Sequence, residues 1–96
     1  MTKAKIVSQI SKNTGIEKVL VMEVIENMME CVKDSLESGE NVYLRGFGSF
    51  ILKERAEKTA RNILRNTSII VPAHSIPAFK PSKEFMDKVR EVKSNK

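Results

Sequence analysis

At Asn41 the hydrophobic pattern of this chain changes period, and four residues later Arg45-Gly46-Phe47-Gly48-Ser49-Phe50 sets a turn between two strand-like runs. Before that point apolar residues recur every three or four positions, the spacing of one helix face. After it they alternate, the spacing of a half-buried strand. Gly46 and Gly48 allow a sharp reversal that tucks the Phe47 ring inward. A chain that is helical for 40 residues and then folds back on itself as strands is α+β. With 96 residues it suggests a single domain with a modest core.

The elements follow from local chemistry. Thr2 is placed to cap a first helix whose apolar face is Ile6, Val7 and Ile10, and Asn13-Thr14-Gly15 ends it. A longer helix, about 18 to 38, carries Val21, Val24, Ile25, Met28, Val32 and Leu36, with Gly39 as its C-cap. Met22, Met29 and Cys31 widen its apolar surface beyond one stripe, so it wants cover from the sheet, from a second chain, or from both. In the strands, Val42, Leu44, Phe47, Phe50 and Leu52 face inward, and Tyr43, Arg45 and Lys53 face outward. Lys53–Lys58 is charged and has little to bury, which predicts an arm leaving the body. Arg61-Asn62 and Asn66-Thr67 supply turn chemistry at its tip, and Ser68–Val71 returns as a strand that Pro72 interrupts. Ile76–Phe79 rejoins the body, and Ser82 caps a last helix with Phe85, Met86 and Val89 inward. The expected organisation is one domain over residues 1–92: helices in 1–40, a sheet saddle in 41–80 with the arm at about 53–75, and a helix in 81–92. A basic tail, 93–96, follows.

Charge is distributed unevenly. Residues 1–40 hold five Lys and seven Asp/Glu, a balance of −2, whereas residues 41–96 hold twelve Lys/Arg and five Asp/Glu, a balance of +7. The net +5 therefore belongs to the strand-and-arm half, which points to a polyanion gripped by one part of the fold. Lys53, Arg55, Lys58, Arg61 and Arg65 are the arm's cations, and Arg61, Asn62 and Arg65 are types that read minor-groove edges. Between them lie Ile63 and Leu64. An aliphatic pair at an exposed tip either wedges into a base step or packs on a neighbouring arm.

Catalysis finds little support. No phosphate-cradling glycine loop, His-Glu-x-x-His or zinc ligand set is present, and Gly46-Phe47-Gly48 lacks the third glycine of a dinucleotide site. The single cysteine, Cys31, reads as a small buried core residue, and the single histidine, His74, as a surface or loop residue. Glu23, Glu26 and Glu30 read as a solvated helix face. No apolar run approaches the roughly eighteen residues of a membrane span, and no signal peptide is expected. The chain is expected to be neither an enzyme nor cofactor-dependent.

These residues resemble the bacterial HU and integration host factor DNA-binding proteins. The matching motifs are Arg45–Phe50, Glu54-Arg55-Ala56, Arg61-Asn62, Val71-Pro72-Ala73 and Ile76–Lys83, and the resemblance runs from Lys3 to about Val89. It implies an intertwined dimer, formed with itself or with a paralogue. Helical halves make its base, and a three-stranded antiparallel sheet with a protruding β-arm makes a saddle over DNA. It further implies a cytoplasmic, nucleoid-associated protein that bends and compacts duplex DNA through the minor groove. By position it assigns Arg55, Lys58, Arg61, Asn62 and Arg65 to the arm, Lys53 to a place near its base, and Lys3, Lys80 and Lys83 to flanking phosphate contacts. Phe47, Phe50 and Phe79 fall in the dimer core. The family's tip, Gly-Arg-Asn-Pro-x-Thr-Gly, here has Ala60 for the first Gly, Ile63 for Pro, Arg65 for Thr and Asn66 for the last Gly. Ile63 thus takes the wedge position. Ile51 and Ile70 occupy strand positions often polar in relatives. A sequence-preferring host-factor-like subunit, or an interaction module that kept the fold, are the other readings.

Overall fold

The computed structural model describes residues 1–62 and 67–94. Helices α1 (Lys3–Thr14) and α2 (Lys18–Glu37) come first. Strands β1 (Val42–Leu44), β2 (Gly48–Arg55), β3 (Lys58–Asn62), β4 (Thr67–Val71) and β5 (His74–Pro81) follow, and α3 (Lys83–Ser94) closes the chain. One antiparallel sheet has the order β1-β2-β5, and β3-β4 form a second, two-stranded ribbon.

The helix ends obey the local signals. The Thr2 side chain accepts the Lys5 N–H at 3.3 Å, and Gly15, at φ 78°, donates its N–H to the Ser11 carbonyl. At the end of α2, Ser38 is the cap and Gly39, at φ 91°, lies one position beyond it. Gly39 N–H reaches the Leu36 carbonyl and Glu40 N–H the Ser35 carbonyl, the paired bonds that satisfy the last orphan acceptors of a helix. Ser82 does three things at once. It accepts the Phe85 N–H at 3.1 Å as the N-cap of α3, its hydroxyl donates to the Gly46 carbonyl, and its N–H donates to the Phe47 carbonyl. The start of α3 is thereby tied to the β1–β2 turn. The last helix begins at Lys83 and not at residue 81, because Pro81 still pairs with Gly48 in the sheet. It also continues through Lys93 and Ser94, where the sequence suggested a tail.

Gly48 is required by its neighbours. A Cβ there would sit 2.6 Å from the Lys80 carbonyl oxygen and 2.6 Å from the Phe79 ring. That close approach lets Phe79 stack among Phe47 (5.0 Å between centroids), Phe50 (5.1 Å) and Phe85 (6.3 Å). Phe85 joins the three phenylalanines that the resemblance had grouped.

The buried hydrophobic residues among those described are only Val7, Val21 and Leu36. The accessible surface is 8385 Å², whereas a compact monomer of 10.9 kDa exposes about 5,600 Å². The radius of gyration is 18.9 Å, against about 12 Å for a compact globule of this length. In the single chain Cys31 is exposed, and Phe47, although ringed by aromatics, is 45% exposed. On α2, Val21, Ile25, Val32 and Leu36 form the covered stripe, while Leu20, Val24, Met28 and Cys31 form a second stripe, about a quarter-turn away, that the described residues leave exposed. Val24 is 67% exposed.

Candidate nucleic-acid interface

Strand alternation sorts the basic residues. Phe50 and Leu52 of β2 pair with Phe79 and Pro77 of β5 and share the face that carries the aromatic cluster. The opposite face holds Ser49, Ile51, Lys53 and Arg55, paired with Lys80, Ala78, Ile76 and His74. The register then passes from Arg55↔His74 to Lys58↔Val71 without a slip, with two residues between the ladders on each strand. Sheet and ribbon are one long hairpin. By alternation Thr59 and Arg61, paired with Ile70 and Ser68, continue the face of Lys53 and Arg55, while Lys58, Ala60 and Asn62 take the other.

Of the residues singled out from sequence, Lys53, Arg55, Lys80 and the register position of Arg61 thus fall on one face of one hairpin. Lys58 and Asn62 occupy the alternate register. Ile63 and Arg65 lie outside the described residues. Lys83 lies at the first turn of α3, on the rim of a groove of about 670 Å³ lined also by Tyr43, Arg45, Ser49, Ile51 and Lys80. Sequence reasoning placed Arg45 and Tyr43 outward but did not count them in the site. Tyr43 is 73% exposed, pairs with Ser49, and shares that residue's face. The alternation that found Lys53 would have found it too. A second groove, about 650 Å³, brings Arg55 and Lys58 together with His74 and Ile76 at the junction of sheet and ribbon.

One acidic residue, Glu57, lines the junction groove beside Arg55 and Lys58, whereas Glu54 is held away from it. The Ser75 hydroxyl holds Glu54 at 2.8 Å on the opposite face. On the helical half, Glu30 bonds Lys33 at 2.9 Å and raises its pKa, first through that hydrogen bond and then through its charge. Lys3 is occupied: its Nζ meets Glu26 at 2.6 Å. Both partners are about half exposed, and such pairs contribute only about 0–1 kcal/mol, so a phosphate can compete for Lys3. Glu26 is then a partner for Lys3 and not merely a solvated face. Among the described residues no three His, Cys, Asp or Glu side chains gather as metal ligands, and no helix is long and apolar enough to cross a membrane.

An extended face with regularly spaced cations, flanked by a basic groove, is built to track a string of phosphates. The chain belongs to the bacterial DNA-binding protein family, whose profile matches residues 1–90. Within it, the DNA-binding protein HU of Clostridium pasteurianum is 36% identical over 91 residues, 95% of this chain and 100% of that one. Integration host factor subunit beta of Shewanella amazonensis is also 36% identical, over 93 residues, 96% of this chain and 98% of its own. Among solved structures, the Anabaena HU–DNA cocrystal matches with a TM-score of 0.89 at 32% identity, covering 93% of this chain and 97% of that one.

Proposed function

We propose that this chain is an architectural DNA-binding protein that works as a dimer, gripping duplex DNA through the minor groove and bending it. The observation that supports the reading is the unbroken register of the hairpin, in which Lys53, Arg55 and Lys80 share a face that the register position of Arg61 continues. Cations spaced along an extended ribbon neutralise successive phosphates and release counterions, without reference to sequence. Lys83 extends this contact from the groove's rim, and Lys3 does so once released from Glu26. Support also comes from the family and from the HU–DNA cocrystal neighbour.

Dimerisation is supported by what the single chain leaves open. The stripe Leu20, Val24, Met28 and Cys31 and the apolar recess of about 390 Å³ between Phe79, Phe85, Met86 and Val89 are too much exposed apolar surface for a stable monomer. A second copy or a paralogue covers them, with Phe47, Phe50 and Phe79 in the shared core. At the tip, Ile63 inserts at a base step, as an aliphatic wedge does. The protein acts in the cytoplasm on the nucleoid, and the work is mechanical and not enzymatic.

The test is a mobility shift on short duplexes at several salt concentrations, with end-to-end FRET reporting the bend. A complex that weakens steeply with salt and draws the duplex ends together is expected. Absence of a complex at low salt, or an affinity indifferent to salt, removes the proposal.

A further inference from the structure

The face that carries the cations is not uniformly polar. Ile51 pairs with Ala78, Lys53 with Ile76, and Thr59 with Ile70, so isoleucines alternate with Lys53 and Arg55 along the same side of the hairpin. None of them belongs to the aromatic cluster, which occupies the other face. Ile51 and Ile76 are half-buried in the walls of the two basic grooves, and Ile70 is 66% exposed. Exposed β-branched residues between phosphate-binding cations need an occupant that is apolar and flanked by anions. The minor-groove wall of DNA fits, because between its phosphates it presents the C–H edges of deoxyribose. In RNA the same wall displays 2′-hydroxyls. Phosphates are common to both, so Lys53 and Arg55 attract either polymer. A hydroxyl pressed against isoleucine, however, loses water without gaining a partner.

We propose that Ile51, Ile76 and Ile70 form a sugar-reading stripe that makes this chain favour deoxyribose duplexes over ribose duplexes. The inference rests on the DNA-binding reading and adds to it a basis for choosing the polymer. The stripe reads the backbone's chemistry and leaves base sequence unread.

The test titrates the full-length protein and its Ile51→Thr/Ile70→Thr variant against DNA and RNA duplexes of one sequence, by fluorescence anisotropy at fixed salt. Sedimentation measures the mass of each protein. Threonine keeps the β-branch, so the strands are retained, and it offers the 2′-hydroxyl a partner. The parent is expected to favour DNA, and the variant to narrow the DNA-to-RNA affinity ratio by about tenfold at unchanged salt slope and mass. A ratio unchanged by the substitutions, with DNA still bound, overturns the stripe alone and leaves duplex shape as the discriminator. A variant of lower mass overturns it too, since the isoleucines then belong to a protein interface. No binding to any duplex overturns the DNA reading and the stripe together.

Discussion

Removing Lys53 and Arg55 together gives the sharpest measure of the charged face. Lys53, Arg55 and Lys80 share one face of the hairpin and the register position of Arg61 continues it; counting the contacts of this face alone, a dimer presents eight. If each neutralises one phosphate, log K falls against log salt with a slope of about −7, from about 0.9 per contact. A rise from about 50 to 200 mM salt then weakens binding roughly 10⁴-fold. Lys53→Ala/Arg55→Ala removes four contacts per dimer. The slope becomes about −4, and the same change in salt costs only about 10²-fold. The control is Lys33→Ala, on the helical half and paired with Glu30, which should leave the slope where it was. Anisotropy titrations at five salt concentrations give all three slopes. Should the double variant's slope stay within one unit of the parent's, these side chains do not meet phosphates, and the face assigned by strand alternation is the wrong one.

Gly48→Ala should lower stability by roughly 1–3 kcal/mol through overpacking against the Lys80 carbonyl and the Phe79 ring. A fall in melting temperature of at least about 4 °C, followed by circular dichroism at one protein concentration, is expected; no fall would mean that the strands can part freely. Val24→Asp puts a charge on the uncovered stripe of α2 and should shift sedimentation from dimer to monomer. Ile63→Ala should retain most of the affinity but reduce bending in end-to-end FRET, and an unchanged bend would retire the wedge. Random and A·T-rich duplexes should bind within about threefold of each other if phosphates dominate; a much larger preference would favour a sequence-reading, host-factor-like role.

Much of the fold was legible because its signals are local. Thr2 and Ser82 cap helices, Gly15 and Gly39 take left-handed positions at helix ends, Pro72 stops a ladder, and the period changes at Asn41. What was not legible depends on partners distant in sequence. Cys31 has the spacing of a core residue, but whether it is covered depends on surface that this chain does not supply. The pairing of Lys3 with Glu26 spans 23 residues and has no pattern to announce it. Charge clustering picked out Lys53, Arg55, Lys58, Arg61 and Arg65 as a group. Only the register divides those that the structure describes, setting Lys58 apart from Lys53, Arg55 and the position of Arg61. Pro81 suggested a break, yet its ring is tolerated in the sheet at the very end of β5, so α3 starts later.

The unslipped register between sheet and ribbon has a consequence for how such an arm can change length. One residue added to a single strand would turn every cation beyond it to the far side. Two residues added to each strand would keep all of them in place and extend the reach by about 7 Å, since each strand residue advances about 3.4 Å. That is close to two nucleotide steps along a DNA strand, at about 3.4 Å each. The hairpin is therefore a ruler graduated in pairs of residues, and the length of duplex it spans can be reset only in those increments.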